Sequence, residues 1–198
     1  MSIKILLVII VGILSGYYII PDTMTLNTDL WLDIGLCLLL FFVGIDISKN
    51  KNVINDIKKM GFRILLFPLL IGVGSILGGI VGGYIIGLNF NEGGAVGAGF
   101  GWYSLSAIIL SEHSAKLSAL AFISNVTREI LAFILIPFIS KYIGLTETIS
   151  IAGATSMDTA LPIISKNTNA IITIIAFVSG IILSILVPFC VSIIISLS

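Results

Sequence analysis

Five stretches of this chain run for roughly a membrane's thickness with almost no charge, and that decides what it can fold into. They cover about Ile3–Ile20, Leu30–Ile47, Phe62–Leu88, Leu117–Ile139 and Ala170–Leu197. A bilayer-spanning helix needs about 20 apolar residues, so each stretch reads as a span. Only 10% of the 198 residues are charged and 58% are hydrophobic. A soluble domain carries about 25% charge, so a water-soluble fold is excluded. The balance of ten basic and ten acidic residues provides no bulk field to attract nucleic acid.

Two weaker segments lie between the strong ones. The first reads GGAVGAGFGWYSLSAIIL (93–110) and the second TISIAGATSMDTALPII (148–164). Each contains an Ala-Gly pair, then polar groups at membrane depth: Trp102, Tyr103, Ser104 and Ser106, and Thr155, Ser156, Asp158 and Thr159. Each is followed by a strong span, which reads as a duplicated unit of broken helix plus helix. Interrupted segments in corresponding positions are the sequence signature of a transporter's binding site. The reason is that unwound backbone in a bilayer is tolerated only beside protein or water. The bland alternative is small-residue packing between tightly crossed helices. The expected fold is therefore all-α, a polytopic transmembrane bundle of about seven hydrophobic segments. Two of them, about 94–110 and 148–164, are broken or re-entrant, and residues 1–198 form a single transport domain.

Ionisable residues inside spans narrow the function. Arg128, Glu129 and Asp158 fall in stretches otherwise fit for hydrocarbon, where each costs about 2.5–3.5 kcal/mol on insertion scales. Ser124, Asn125, Arg128 and Glu129 include two pairs four residues apart, which predicts a polar stripe on one helix. Arg128 and Glu129 are sequence neighbours and diverge around the helix, so each should meet another element. Arg128 with Asp158 is the expected pair. Asp46 lies near the end of the second span and reads either as a pathway carboxylate or as a membrane-edge residue. Trp102 and Tyr103 suit the apolar stem of a substrate or plain core packing.

The loops predict orientation. Lys49, Lys51, Lys58, Lys59 and Arg63 cluster between the second and third spans, against Asp56 alone. The positive-inside rule puts that loop and the N-terminus in the cytoplasm. With seven full crossings, Lys116 and Lys166 also fall inside and Lys141 outside. Ile3–Ile20 has no small-residue cleavage site after it and reads as a first helix, not a removed leader. Cys37 and Cys190 support no disulfide framework, and a single His113 makes no metal site. With no paired-aspartate or Ser-His arrangement either, an intramembrane enzyme is the weakest reading.

The runs GFGWYSLSAIILSE (99–112), ISNVTREILAFILIP (123–137) and AGATSMDTALPII (152–164), in this order, resemble the bacterial lysine exporter (LysO) family. FFVGIDI (41–47) fits another block of that family. The resemblance covers nearly everything from about residue 25 onward. It implies export of L-lysine and of its analogue thialysine across the inner membrane. It also implies a transport carboxylate at Asp158, with Asn125, Arg128 and Glu129 in the matching stripe and Trp102, Tyr103 and Ser104 in the matching broken segment. Longer members carry further spans before the matched region. The resemblance therefore implies a small companion membrane subunit or a homodimer to supply them.

The resulting expectation is secondary active lysine efflux, by antiport against protons, with no cofactor and with membrane lipid as its surroundings. The pathway candidates are Asp158, Glu129, Arg128, Asn125, Asp46, Ser104, Trp102, Tyr103, Ser156 and Thr155. The alternatives are a carrier of another small metabolite or ion, and a non-transporting subunit of a two-component exporter.

Overall fold

The computed structural model describes residues 2–18, scattered positions between 30 and 45, residue 61 and residues 63–197. Asp46 and the basic cluster at 49–59 lie outside the described residues. The described chain is helical throughout, with no strand among those residues. Helix α1 is Ser2–Tyr18, within the first apolar run. Three long helices follow, separated by shorter ones: α2 (Arg63–Ile85), α5 (Ala115–Tyr142) and α8 (Ala170–Ser196). Between α2 and α5 lie α3 (Phe90–Gly97) and α4 (Tyr103–Ser111). Between α5 and α8 lie α6 (Glu147–Ala152), a 3₁₀ turn (Gly153–Met157) and α7 (Leu161–Asn167).

Length separates the two classes. Helices α2, α5 and α8 have 23, 28 and 27 residues, and at 1.5 Å per residue each exceeds the roughly 30 Å hydrocarbon core. The four short helices have six to nine residues, and each reaches less than half of that thickness. Local chemistry fixes the boundaries. The Asn89 N–H donates to Glu92 Oε2 at the start of α3. Ser114 caps α5 by accepting from the Lys116 N–H, and Asn169 caps α8 by accepting from the Ile172 N–H.

The contacts establish direction. Gly83 packs on Gly93 and Gly79 on Gly97, so α3 runs back along α2. A Cβ on Gly79 would lie 2.6 Å from Gly93 O and from Gly97 Cα, and only glycine permits that approach. The Ser118 hydroxyl donates to Ala107 O, so α4 runs antiparallel to the start of α5. Leu120 shares a cavity wall with Ile86 and Leu88 near the end of α2, whereas Arg128 bonds Ser75 at its middle. Helix α5 therefore descends beside an ascending α2, and α4 climbs back to the end from which α3 entered. The segment 90–111 is a re-entrant hairpin.

The second weak segment does the same from the opposite end. Phe67 and Ile71 in the first half of α2 share a cavity with Thr146, Glu147 and Ser150, so α6 starts at the lower end. Leu183 approaches Gly72 while Ile194 approaches Gly94 beside Ile80, so α8 ascends parallel to α2. It starts at the lower end, where α7 has just finished. The two units of hairpin plus helix, α3–α5 and α6–α8, thus enter from opposite ends of the bundle.

The core lies where the hairpins meet the long helices. Helix α5 buries Leu117, Ala121, Asn125, Ala132 and Ile136 on one face. Helix α8 buries Ile175, Leu183, Val187 and Val191, and Leu110, Ile149, Leu161 and Ile164 fill the space between. Leu66, Leu70, Val73 and Val81 of α2 stay exposed among the described residues, as befits surroundings of hydrocarbon in place of water.

The broken segments and the all-helical class agree with the sequence reading. The full-crossing version of seven segments does not: among the described residues three helices are long enough to cross, and the weak segments turn back. Re-entry exchanges the sides of Lys116 and Lys141 and leaves Lys166 with the basic loop. The charge tally is the same either way, so it never distinguished the two topologies. A cysteine-free chain with single Cys residues introduced by His113→Cys, Leu145→Cys and Lys166→Cys separates them. Membrane-impermeant thiol labelling should reach Leu145→Cys and Lys166→Cys from one side and His113→Cys from the other. Labelling of positions 113 and 166 from a common side would restore the full crossings.

Candidate functional site

Breaking two helices inside a membrane frees backbone groups, and each left unpaired costs several kcal/mol. The tips of the hairpins pair with each other: the Ala154 N–H donates to Phe100 O at 2.8 Å. Tip one needs left-handed backbone at Phe100 (φ 50°) and at Gly101 (φ 104°), and tip two at Gly153 (φ 65°). Glycine takes this conformation freely, whereas Phe100 is a bulky residue held in it, which marks the tip as strained.

Helix α5 supplies the remaining partners. Asn125 is buried, its Oδ1 accepts from the Gly101 N–H at 2.8 Å, and its Nδ2 donates to Ala121 O and Ser106 Oγ. That amide is committed to holding tip one. Arg128 donates from Nε to Ile151 O, from Nη2 to Ser150 O and from Nη1 to Ser75 Oγ, at 2.7–3.1 Å. The Ser75 hydroxyl passes the interaction on to Gly97 O. Arg128 thus serves the C-terminal carbonyls of α6 directly and those of α3 through Ser75. A cation belongs at helix C-termini, where the dipole's negative end lies.

Glu129 points elsewhere. It shares a cavity of about 180 Å³ with Gly101, Trp102, Tyr103, Ser104, Ala154, Thr155, Met157, Asp158, Thr159 and Ser184. The Thr159 hydroxyl donates to Glu129 Oε1 and also lies 3.3 Å from Asp158 Oδ1. The Thr159 N–H donates to the same Asp158 oxygen at 2.6 Å. Two carboxylates therefore meet through one threonine in a cavity with no basic side chain among its described lining. The first turn of α4 forms the opposite wall, with Trp102 and Tyr103 providing aromatic surface.

Of the residues expected from sequence, Asp158, Glu129, Ser104, Trp102, Tyr103 and Thr155 share this cavity. Arg128 and Asn125 instead line a separate space of about 350 Å³ with Ser124 and the glycines of α2. The expected stripe on α5 is therefore split between two sides of the helix. The expected Arg128–Asp158 pair is not formed, because the guanidinium is taken by Ser75 and two carbonyls. Ser156 does not line the cavity; its hydroxyl is buried, 2.7 Å from the carbonyl oxygens of Gly153 and Ala176. Asp46 lies outside the described residues.

Sequence reasoning missed Ser75, Met157 and Ser184, and it noted Thr159 without giving it a role. Ser75 had a signal, being the lone serine in an apolar, glycine-rich span. Met157 and Ser184 had none, since nothing local says that a methionine and a helix serine will meet at 3.6 Å.

Arg128→Met should lower stability by about 2–3 kcal/mol, the scale of hydrogen bonds to a charged group. Because Arg128 and Asp158 serve different partners, the losses from Arg128→Met and Asp158→Asn should add to within about 0.5 kcal/mol in a double-mutant cycle. Unfolding in detergent measures both. A coupling above about 1 kcal/mol would mean that the two residues pair after all.

The family model described as "Lysine exporter LysO" matches residues 6–195. "Lysine exporter LysO" of Escherichia coli (strain K12) is 36% identical over 154 residues, which are 77% of this chain and 51% of that protein. "Putative lysine exporter" of Haemophilus influenzae is 33% identical over 156 residues, 77% of this chain and 78% of that protein. The chain thus spans about half the length of the Escherichia coli relative. No solved structure matches. The match over nearly the full length, with GFGWYS, ISNVTRE and AGATSMDTA forming the two tips and the helix that holds them, makes this chain a member of the LysO lysine exporter family.

Proposed function

We propose that this chain carries L-lysine, and cationic analogues such as thialysine, out of the cell by antiport against protons. The observation that carries the reading is the cavity in which Glu129 and Asp158 face one another across Thr159 with no basic side chain in its described lining. Two such carboxylates away from bulk water favour a bound cation. A carboxylate can hold a primary ammonium or a proton in turn, so one can be exchanged for the other.

The remaining walls suit the rest of a lysine. Its methylene stem fits against Trp102, Tyr103 and the Met157 thioether. Its carboxylate fits the first turn of α4, where Ser104 lines the cavity and its N–H precedes any intrahelical acceptor. Asp158 and Glu129 are then the cation-binding residues, and Arg128 and Asn125 hold the hairpin tips that shape the site. The names of the relatives support lysine as the cargo. The basic loop at 49–59 supports a cytoplasmic-membrane protein with that loop and the N-terminus inside.

A second reading makes the chain one subunit of a two-part exporter or half of a homodimer. Proteoliposomes containing this chain alone decide the point. Counterflow of radiolabelled lysine, accelerated by an imposed pH gradient, is the expected result. Asp158→Asn and Glu129→Gln should each reduce it at least tenfold, about 1.4 kcal/mol or more, with normal amounts of protein in the membrane. Unchanged counterflow in Asp158→Asn would overturn the assignment of the site. Absence of counterflow by the folded wild type would favour the subunit reading.

A further inference from the structure

Among the described residues Thr159 is the one that hydrogen-bonds both carboxylates, and it does so through two different groups. Its backbone N–H is fixed on Asp158 Oδ1 at 2.6 Å. Its hydroxyl has a single proton and two carboxylate oxygens within reach, Glu129 Oε1 and Asp158 Oδ1. A hydroxyl donates once and accepts through its lone pairs. When both acids are ionised, only one of them can hold that proton, and the closer contact gives it to Glu129. Asp158 is then left with the fixed N–H and an oxygen open to a cation in the cavity.

We propose that Thr159 is the positioning residue that couples proton binding at Glu129 to release of the ammonium group at Asp158. The inference rests on the lysine–proton reading above. When Glu129 takes a proton from water, the new carboxylic O–H donates to Thr159 Oγ1. The hydroxyl hydrogen then turns about the Cβ–Oγ1 bond and donates to Asp158 Oδ1. No covalent bond at Thr159 is made or broken, and no heavy atom moves; the direction of a two-bond chain reverses. Asp158 thereby gains the donor that the ammonium had supplied, and its hold on the ammonium weakens. An ammonium at Asp158 restores the original direction and favours loss of the Glu129 proton. Such reciprocity is what linkage between two ligands requires.

Among the described residues, the charged and titratable groups around these hydrogen bonds are few. Tyr103 of α4 lines the same cavity, Glu129 comes from α5 and Asp158 from tip two. Helix α8 contributes the neutral Ser184, and Arg128 is turned away to Ser75 and the α6 carbonyls. The hydroxyl of Thr159 is therefore the direct link between the two acids, and an isosteric Val removes it while leaving the backbone N–H on Asp158.

Proton release on lysine binding tests the idea, read with a pH dye in weakly buffered detergent solution alongside a binding isotherm. Wild type should release up to about half a proton per lysine bound at the midpoint of Glu129 titration in the free protein, where about half of the sites carry the proton, and closer to one just below that pH. Thr159→Val and Thr159→Ala should still bind lysine but release less than about half as many protons, and Thr159→Ser should restore the wild-type ratio. An unchanged ratio in the Val and Ala variants would overturn the proposal. So would loss of lysine binding in both variants with retention in Thr159→Ser, because the hydroxyl would then serve binding itself. Failure of the wild type to bind lysine is a separate outcome: it rejects the lysine reading on which the proposal stands.

Discussion

The guanidinium of Arg128 lies where two half-helices end inside the membrane. Helix α6 presents its Ser150 and Ile151 carbonyls, and α3 presents Gly97 O through Ser75. Both C-termini aim partial negative charge at the same place. Without a cation there, two re-entrant hairpins meeting at their tips would be an arrangement of orphaned acceptors. With it, the carbonyls freed by breaking the chain become the counter-charge of an arginine that would otherwise be costly at that depth. Each group solves the other's desolvation, so Arg128 needs no carboxylate partner.

That arrangement releases the acids for other work. Consecutive residues on a helix diverge by about 100°, so Arg128 and Glu129 are directed to different sides of α5. On one side are the α3 and α6 C-termini with their cation. On the other are the first turn of α4, tip two and the pair Glu129 and Asp158. Had Arg128 paired with Asp158, one of the two acids in the cavity would already be neutralised by protein. Keeping the fixed cation and the fixed anions apart, with Asn125 holding tip one between them, leaves both acids without a basic partner in the described lining of their cavity.

How much of this was legible in the sequence depends on the range of the interaction. The broken segments could be read because glycine and polar residues in apolar runs are local signals. Asp158 and Glu129 stood out because an acid in hydrocarbon is anomalous whatever its partner. Whether the segments cross or turn back could not be read from charge: Lys116 and Lys141 exchange sides and cancel. Re-entry is instead decided by long-range packing, such as Gly79 on Gly97 and the Ser118 hydroxyl on Ala107 O. The Arg128–Asp158 expectation failed for a related reason. Opposite charges are visible in a sequence, whereas a cluster of backbone carbonyls created by tertiary structure is not.

The inverted entry of the two hairpins also bears on how a site could face either side in turn. Each tip is anchored to α5 by a different residue, tip one by Asn125 and the first arm of hairpin two by Arg128, and the tips join through Phe100 O and the Ala154 N–H. The units are related in topology but not in chemistry. Tip two carries Asp158 and Thr159, while tip one contributes Trp102, Tyr103 and Ser104 to the same cavity. In the proposed reading a change of cation acts on hairpin two through Asp158 and on α5 through Glu129. Hairpin one would feel it through the shared cavity wall and the single tip-to-tip bond. Strain at Phe100, whose left-handed backbone positions that carbonyl, keeps this joint from being a deep minimum. A joint of modest depth between two otherwise well-anchored hairpins is what a carrier needs at its centre, because a site locked from both ends would bind and never release.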